Sequence, residues 1–207
     1  MKSQDIGLLL YITSLQKSEK EEGIIKNLPQ NLQGWMSDGI QNQSHVDDQI
    51  NEITVRYTAR ALEQQTGISK SQINLSLKRC YSMGLATKDP ITGVPRVNSK
   101  GLYEFIVYGL KYVFPAQPGP LTRGMVTSFG APVLKGKLLT AGEHLLVWPD
   151  AYGNSMGLSV EPLFKTATLA AESRPEMYAL LALVDAIRLG QPRESKLAVE
   201  LLKEYLN

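Results

Sequence analysis

The sequence predicts an α+β fold that is mainly helical. Three observations carry this. Apolar residues recur at helical spacing near both ends of the chain, at Ile6, Leu9 and Leu10 and again at Tyr178, Leu181, Val184 and Ile187. Between them, two short helical stretches meet at Gly67 and are followed by two turn-bounded strand candidates. From Pro115 the texture changes: residues 115–165 hold six of the 11 prolines and seven of the 17 glycines, which suits a small β or extended region. The expected organisation is therefore 1–114, a helix-turn-helix unit with an N-terminal helical arm, and 115–207, extended and β segments closed by a C-terminal helical hairpin.

Composition narrows the class. The chain has 207 residues, 43% hydrophobic and 20% charged, which is globular and long enough to bury a real core. The longest apolar run near the start, Ile6 to Ile12, is too short for a membrane span and lacks a small-residue cleavage pattern. With Cys80 alone, and only His45 and His144, no internal disulfide and no Cys/His zinc site of ordinary spacing is expected. The expectation is a cytoplasmic protein with no cofactor, no metal and no membrane partner. Its net charge of +2 conceals a partition. Lys and Arg against Asp and Glu number 4 and 8 over 1–53, 9 and 3 over 54–112, and 9 and 9 over 113–207. The middle segment is thus locally +6, and such clustering points to a polyanion or to a solvated face.

Residues 5–17 read as a helix with Ile6, Leu9, Leu10 and Thr13 on one face, and Asp5 as N-cap or first-turn acid. The polar stretch Lys17 to Gln49 keeps a rough helical spacing in Ile24, Ile25, Leu28, Leu32, Trp35, Met36 and Ile40 and reads as a loosely packed helix or ordered arm. Thr58 caps a helix over 59–65, Gly67 supplies a positive-φ turn, and Ile68 is a buried turn residue. Ser69 opens the next helix, with Gln72 completing a capping box. That helix runs to about Met83 with Ile73, Leu77, Cys80 and Gly84 inward, while Ser71, Leu75, Lys78, Arg79 and Ser82 project outward. Leu85 to Lys88 and Val94 to Val97 form a hairpin about Asp89-Pro90-Ile91-Thr92-Gly93.

Helix, glycine turn, polar-faced helix and hairpin together make a winged helix-turn-helix. The run Ala-Leu-Glu-Gln-Gln-Thr-Gly-Ile-Ser-Lys-Ser-Gln-Ile-Asn, within Thr58 to Val97, resembles the reader half of bacterial winged helix-turn-helix transcriptional regulators of the broad MarR and GntR type. Groove geometry says which side chains would act. Ser71, Gln72 and Asn74 have donors and acceptors for base edges, and Lys78 and Arg79 further along would meet phosphates. Lys70, Arg60 and Arg56 add charge on flanking elements, and Lys88 and Arg96 stand at the wing. If six of these touch phosphates, the log–log salt slope is about −5.

Ser99 caps a helix through Val113 that is apolar on two faces, so one face meets either the rest of the chain or a second subunit. Beyond the Pro-rich start at 115–120, Met125 to Phe129, Val133 to Leu139, Leu145 to Trp148 and Gly157 to Val160 read as strands or extended segments. Gly153-Asn154-Ser155-Met156-Gly157 matches the nucleophile-elbow pattern, but proline and glycine interrupt its approach and both histidines precede the serine, so it reads as a turn. Arg123, between Thr122 and Gly124, would bind an anion or another carboxylate. At the end, Ser173 with Glu176 forms a capping box, Pro175 suits the first turn, Gly190 stops the helix, and Pro192 starts its partner.

The functional expectation is a non-enzymatic, sequence-specific regulator of transcription that binds double-stranded DNA. It is expected to be a dimeric repressor of its own or an adjacent operon, acting at a palindromic operator. Either the 99–113 helix or the 173–206 hairpin would form the homodimer interface. The alternative is a protein-interaction module, an antitoxin-like or adaptor winged helix that binds a partner from a neighbouring gene.

Overall fold

A computed structural model of the chain describes residues 1–21, 50–137, 144–190 and 192–206. The architecture is α+β and mainly helical. In chain order it has α1 (Ser3–Glu21), α2 (described over 50–56), α3 (Ala59–Thr66), α4 (Lys70–Ser82), β1 (Ala86–Lys88), β2 (Pro95–Val97), α5 (Ser99–Tyr108) and α6 (Leu110–Val113). Then come β3 (Leu121–Thr127), a 3₁₀ turn at Ser128–Gly130, β4 (Leu146–Pro149), β5 (Ser155–Ser159), α7 (Ala167–Ser173), α8 (Pro175–Leu189) and α9 (Pro192–Leu206). No helix among the described residues is long and apolar enough to cross a membrane. The arm expected over 17–49 lies, from residue 22 on, outside the described residues.

The centre of the molecule is α1. Every residue from Asp5 to Leu15 is buried, so the helix is enclosed on all sides and not along one face as its spacing suggested. It packs against α4 and β2 on one side and against α5 and α8 elsewhere. Two of its buried hydroxyls are satisfied within the helix: that of Thr13 donates to the Leu9 carbonyl and that of Ser14 to the Tyr11 carbonyl. Gly7 admits the Phe164 ring, which a Cβ there would meet at 2.4 Å. With α8, whose residues Ala179 to Ile187 are all buried, α1 forms one core that draws on elements from both sides of residue 114.

The local signals of residues 58–98 appear in part in the backbone. Thr58 Oγ1 accepts from the Ala61 amide, and Gly67 adopts φ +67°. The expected box of Ser69 and Gln72 does not form, since Ser69 makes no side-chain cap. Glu63 of the preceding helix takes its place, Oε1 accepting from the Lys70 amide at 3.2 Å. The hairpin pairs antiparallel, Ala86 opposite Val97 and Lys88 opposite Pro95. Its turn is held by Asp89 Oδ1, which accepts from the amides of Ile91 and Thr92, and by Gly93 at φ +69°. Asn98, not Ser99, caps α5, because its side chain accepts from Gly101 and donates to the Gly84 carbonyl. Gly109 divides the expected single helix into α5 and α6.

In the Pro/Gly-rich region three strands each pair with both others. β3 is antiparallel to β4 and β5, which are parallel to each other. Its glycines are steric requirements: a Cβ on Gly124 would lie 2.0 Å from the Trp148 carbonyl oxygen, and one on Gly157 2.4 Å from that of Leu145. Of Val133 to Leu139, expected as a strand or extended segment, residues 133–137 form turns around the buried Leu134, and 138–139 lie outside the described residues. The hairpin of α8 and α9 is as expected and starts on Pro175, but its capping box is absent. Ser173 instead closes α7, a helix not foreseen, by donating to the Ala170 carbonyl.

Beneath the sheet, Asp185 of α8 is fully buried and accepts from Trp148 Nε1 at 2.6 Å, Thr127 Oγ1 at 3.0 Å and Arg188 Nη1 at 2.7 Å. Arg188 also donates to the carbonyl of Phe114, tying the chain between α6 and β3 to the same point.

Candidate nucleic-acid interface

The second helix of the Gly67 turn, α4, divides into two faces. Ile73, Ser76 and Cys80 are buried, and Ser76 takes an inward place that was expected for Leu77. The other face is a continuous exposed strip of Lys70, Ser71, Asn74, Leu75, Lys78 and Ser82 at i, i+3 and i+4 spacing. Leu75, 48% exposed, is the apolar member of this strip. Lys70 stays exposed although its ammonium lies 3.6 Å from the Glu63 carboxylate. Arg60 on α3 is exposed, and so is Lys88 at the end of β1, with its ammonium 5.9 Å from the Tyr81 ring centre.

Arg79, Arg96, Gln72 and Arg56, all expected at the interface, engage other side chains of the protein. Arg79 does not project toward a phosphate; its Nε and Nη2 donate to Asp5 at 2.8 and 2.6 Å, and Nη2 also reaches Ser76 Oγ. Arg96 does not stand free at the wing either. It turns back under the hairpin, with Nη1 on the wholly buried Glu19 at 2.8 Å and Nε on Asp89 at 3.2 Å. Gln72 is half-buried and its carbonyl oxygen accepts from Gln4 Nε2 at 3.0 Å. Arg56 pairs with Glu52 across one turn of α2. For Arg79 and Arg96 the physical reason is shared: a carboxylate enclosed in the core, Asp5 or Glu19, needs a partner, and the nearest guanidinium is drawn inward to it.

Asp5 and Glu19, both on α1, thus tie α4 and the hairpin to the core, a contact that sequence reasoning missed. Burial pushes the Asp5 carboxyl up, but Arg79, the Lys2 amide and the Ser76 hydroxyl outweigh it and hold the group below the usual carboxylate range. The only sequence signal for this was an acid abutting the apolar run Ile6 to Ile12. Burial likewise raises the Cys80 thiol, to about 12, which keeps it protonated and unreactive.

Elsewhere the nucleophile-elbow pattern is resolved by its geometry. Ser155 is the first residue of β5, so a strand follows it where an elbow needs a helix, and its Oγ bonds to Asn154 Oδ1 at 3.2 Å. His144 is exposed, and His45 lies outside the described residues. Arg123 is exposed in β3. Among the described residues no group of three His, Cys, Asp or Glu is placed to hold a metal ion. Compared with protein-family models, with curated proteins and with solved structures, the chain finds no match in any of the three.

Proposed function

We propose that this chain is a sequence-specific double-stranded DNA-binding regulator of transcription, with α3, α4 and the β1–β2 hairpin acting as a winged helix-turn-helix. The observation that carries the reading is the outer strip of α4. Lys70, Ser71, Asn74 and Lys78 are exposed along one side of a helix whose opposite side is locked to α1. A helix so presented fits the major groove of B-DNA, and Asn is suited to bidentate pairing with adenine. Leu75 would meet a thymine methyl there. With Arg79 and Arg96 engaged inside the protein, the cations left for phosphates are Arg60, Lys70, Lys78 and Lys88. Four contacts give a log–log salt slope of about −3.6, shallower than six would.

Repression from a palindromic operator by a homodimer completes the proposal. The α5–α6 surface suits the dimer contact better than the C-terminal hairpin, since Tyr108, Tyr112 and Val113 are 70%, 74% and 53% exposed whereas α8 is spent on the core. Mobility-shift titrations on the DNA upstream of its own coding sequence, repeated at rising salt, test the reading. Tighter binding to one fragment than to shuffled DNA supports it, and equal binding to all fragments overturns it.

A protein-interaction module is the second reading, favoured by the exposure of Leu75, Met83 and Ile91 on the same unit. Stoichiometric co-purification with the product of a neighbouring gene, without any shift of DNA, would select it.

A further inference from the structure

We propose that the core of each operator half-site is a run of A·T base pairs, an adenine met by Asn74 and a thymine methyl met by Leu75, with no guanine contact from α4. The inference rests on the regulator reading above and extends it to the composition of the DNA. It follows from which side chains α4 has left to offer. Guanine presents two acceptors in the major groove, O6 and N7, and is read by Arg or Lys. The one arginine of α4, Arg79, gives Nε and Nη2 to Asp5 at 2.8 and 2.6 Å. Arg96 of the hairpin is held in the same way by Glu19 and Asp89. Lys70 opens the helix with its ammonium 3.6 Å from the Glu63 carboxylate, and Lys78 lies about two turns further on, so the two flank the base-facing stretch and suit phosphates.

Between those lysines the exposed residues are Ser71, Asn74 and Leu75. Ser71 can donate or accept and sets no preference. Gln72, the other carboxamide of this stretch, is half-buried with its carbonyl oxygen taken by Gln4. Asn74 is exposed, and its amide pairs a donor with an acceptor, the pattern that matches adenine N7 and N6. Against guanine its carbonyl would face a second acceptor. Leu75 is 48% exposed in the midst of this polar strip, and the thymine C5-methyl is the apolar group that the major groove offers it. Neighbours on a helix differ by about 1.5 Å in rise, less than the spacing of about 3.4 Å between base pairs, so Asn74 and Leu75 would meet the same pair or adjacent ones.

The test is selection by the full chain from a random duplex pool, followed by titration of the selected site with altered bases. Enrichment of a core of A·T pairs is expected. Deoxyuridine in place of its thymines removes only the methyl and should weaken binding about threefold. 7-Deazaadenine in place of its adenines removes N7 and should weaken binding about tenfold. Leu75→Ala should abolish the first effect and Asn74→Ala the second, and both positions are exposed, so the variants keep the fold. A pool in which no sequence is enriched overturns the regulator reading and this inference with it. An enriched core of G·C pairs overturns the inference alone, as does unchanged affinity on either altered site. Effects of the altered bases that persist in full in Leu75→Ala and Asn74→Ala overturn it as well, because other residues then read the bases.

Discussion

Arg79 and Asp5, 74 residues apart in the chain, are joined by two hydrogen bonds of 2.6 and 2.8 Å, and this pair anchors α4 to the first turn of α1. The carboxylate is wholly buried while the guanidinium is 28% exposed. Removing the cation strands a buried charge. Arg79→Ala should therefore cost about 3 kcal/mol of folding stability by urea unfolding, an effect separable from any on DNA. The pair also sets a pH dependence. Asp5 has a folded pKa below its ordinary value, so its contribution is fully present above about pH 4 and is lost as pH falls through the folded value. The stability gap between wild type and Asp5→Asn should be constant at neutral pH and close in acid. A gap that stayed open to the lowest accessible pH would mean that the charge is not what Asp5 contributes.

The exposed cations separate from the internal ones by the same logic. Lys78→Ala and Lys88→Ala should leave stability within about 0.5 kcal/mol, yet each should weaken binding to every DNA sequence and reduce the salt slope by about one. Asn74→Ala should instead lose about 1–3 kcal/mol on the preferred site only. If Lys78→Ala leaves the slope where it was while Arg79→Ala changes it, the roles assigned to the two residues are reversed.

What was legible in the sequence was local. The Thr58 cap, the Gly67 turn, the Asp89 to Gly93 turn and the Pro175 and Pro192 helix starts depend on neighbours a few residues away, and each appears in the structure. Arg79 and Arg96 were misplaced because their partners, Asp5 and Glu19, sit far off on α1. Glu19 lies in the polar stretch that begins at Lys17, where nothing nearby in sequence singles it out for burial; α1 packs against β2, which carries Arg96. The all-round burial of α1 was hidden for a related reason. Helical spacing describes one stripe, but which other faces are covered depends on α5 and α8, supplied much later in the chain. The mutual pairing of β3, β4 and β5 was illegible because glycine, needed there for close backbone approach, is equally the mark of a loop.

Gly67 and Gly93 share a positive φ, at +67° and +69°, but differ in surroundings. A Cβ at Gly67 would meet Leu169 and Thr166 of the C-terminal half at 2.9 Å, whereas one at Gly93 meets nothing within 4 Å. Gly93→Ala should cost only the backbone strain, about 1 kcal/mol. Gly67→Ala adds a steric conflict with side chains held in place, the Thr166 hydroxyl donating to the Thr66 carbonyl, and should cost about 2–3 kcal/mol. Equal melting temperatures for the two variants would show that α7 yields at no cost.

The α5–α6 surface provides a test of assembly. Tyr108 and Tyr112 are both exposed, and Lys111 lies 4.9 Å from the Tyr112 ring centre. If this is the homodimer contact, Tyr108→Ser with Tyr112→Ser should convert a dimer into a monomer by light scattering, with little loss of stability because neither ring is buried. A dimer that persists in the double variant moves the interface elsewhere.

Asp185 provides the last test because it gathers four segments onto one carboxylate. Trp148 and Thr127 reach it from two strands, and Arg188 links it to the chain following α6. Asp185→Ala leaves an indole N–H, a hydroxyl and a guanidinium without their acceptor in a dry core, and should cost about 3–5 kcal/mol. Asp185→Asn keeps the shape and a carbonyl oxygen for Trp148 but loses the charge opposite Arg188. Its cost should be smaller than that of Asp185→Ala, because Arg188 retains the Phe114 carbonyl. Trp148 is the reporter: its indole is almost wholly buried. Fluorescence-detected urea unfolding that ranks wild type, Asp185→Asn and Asp185→Ala in descending stability would support this account. If the Asn and Ala variants were equally stable, hydrogen bonding by the residue-185 side chain would contribute nothing once its charge is gone.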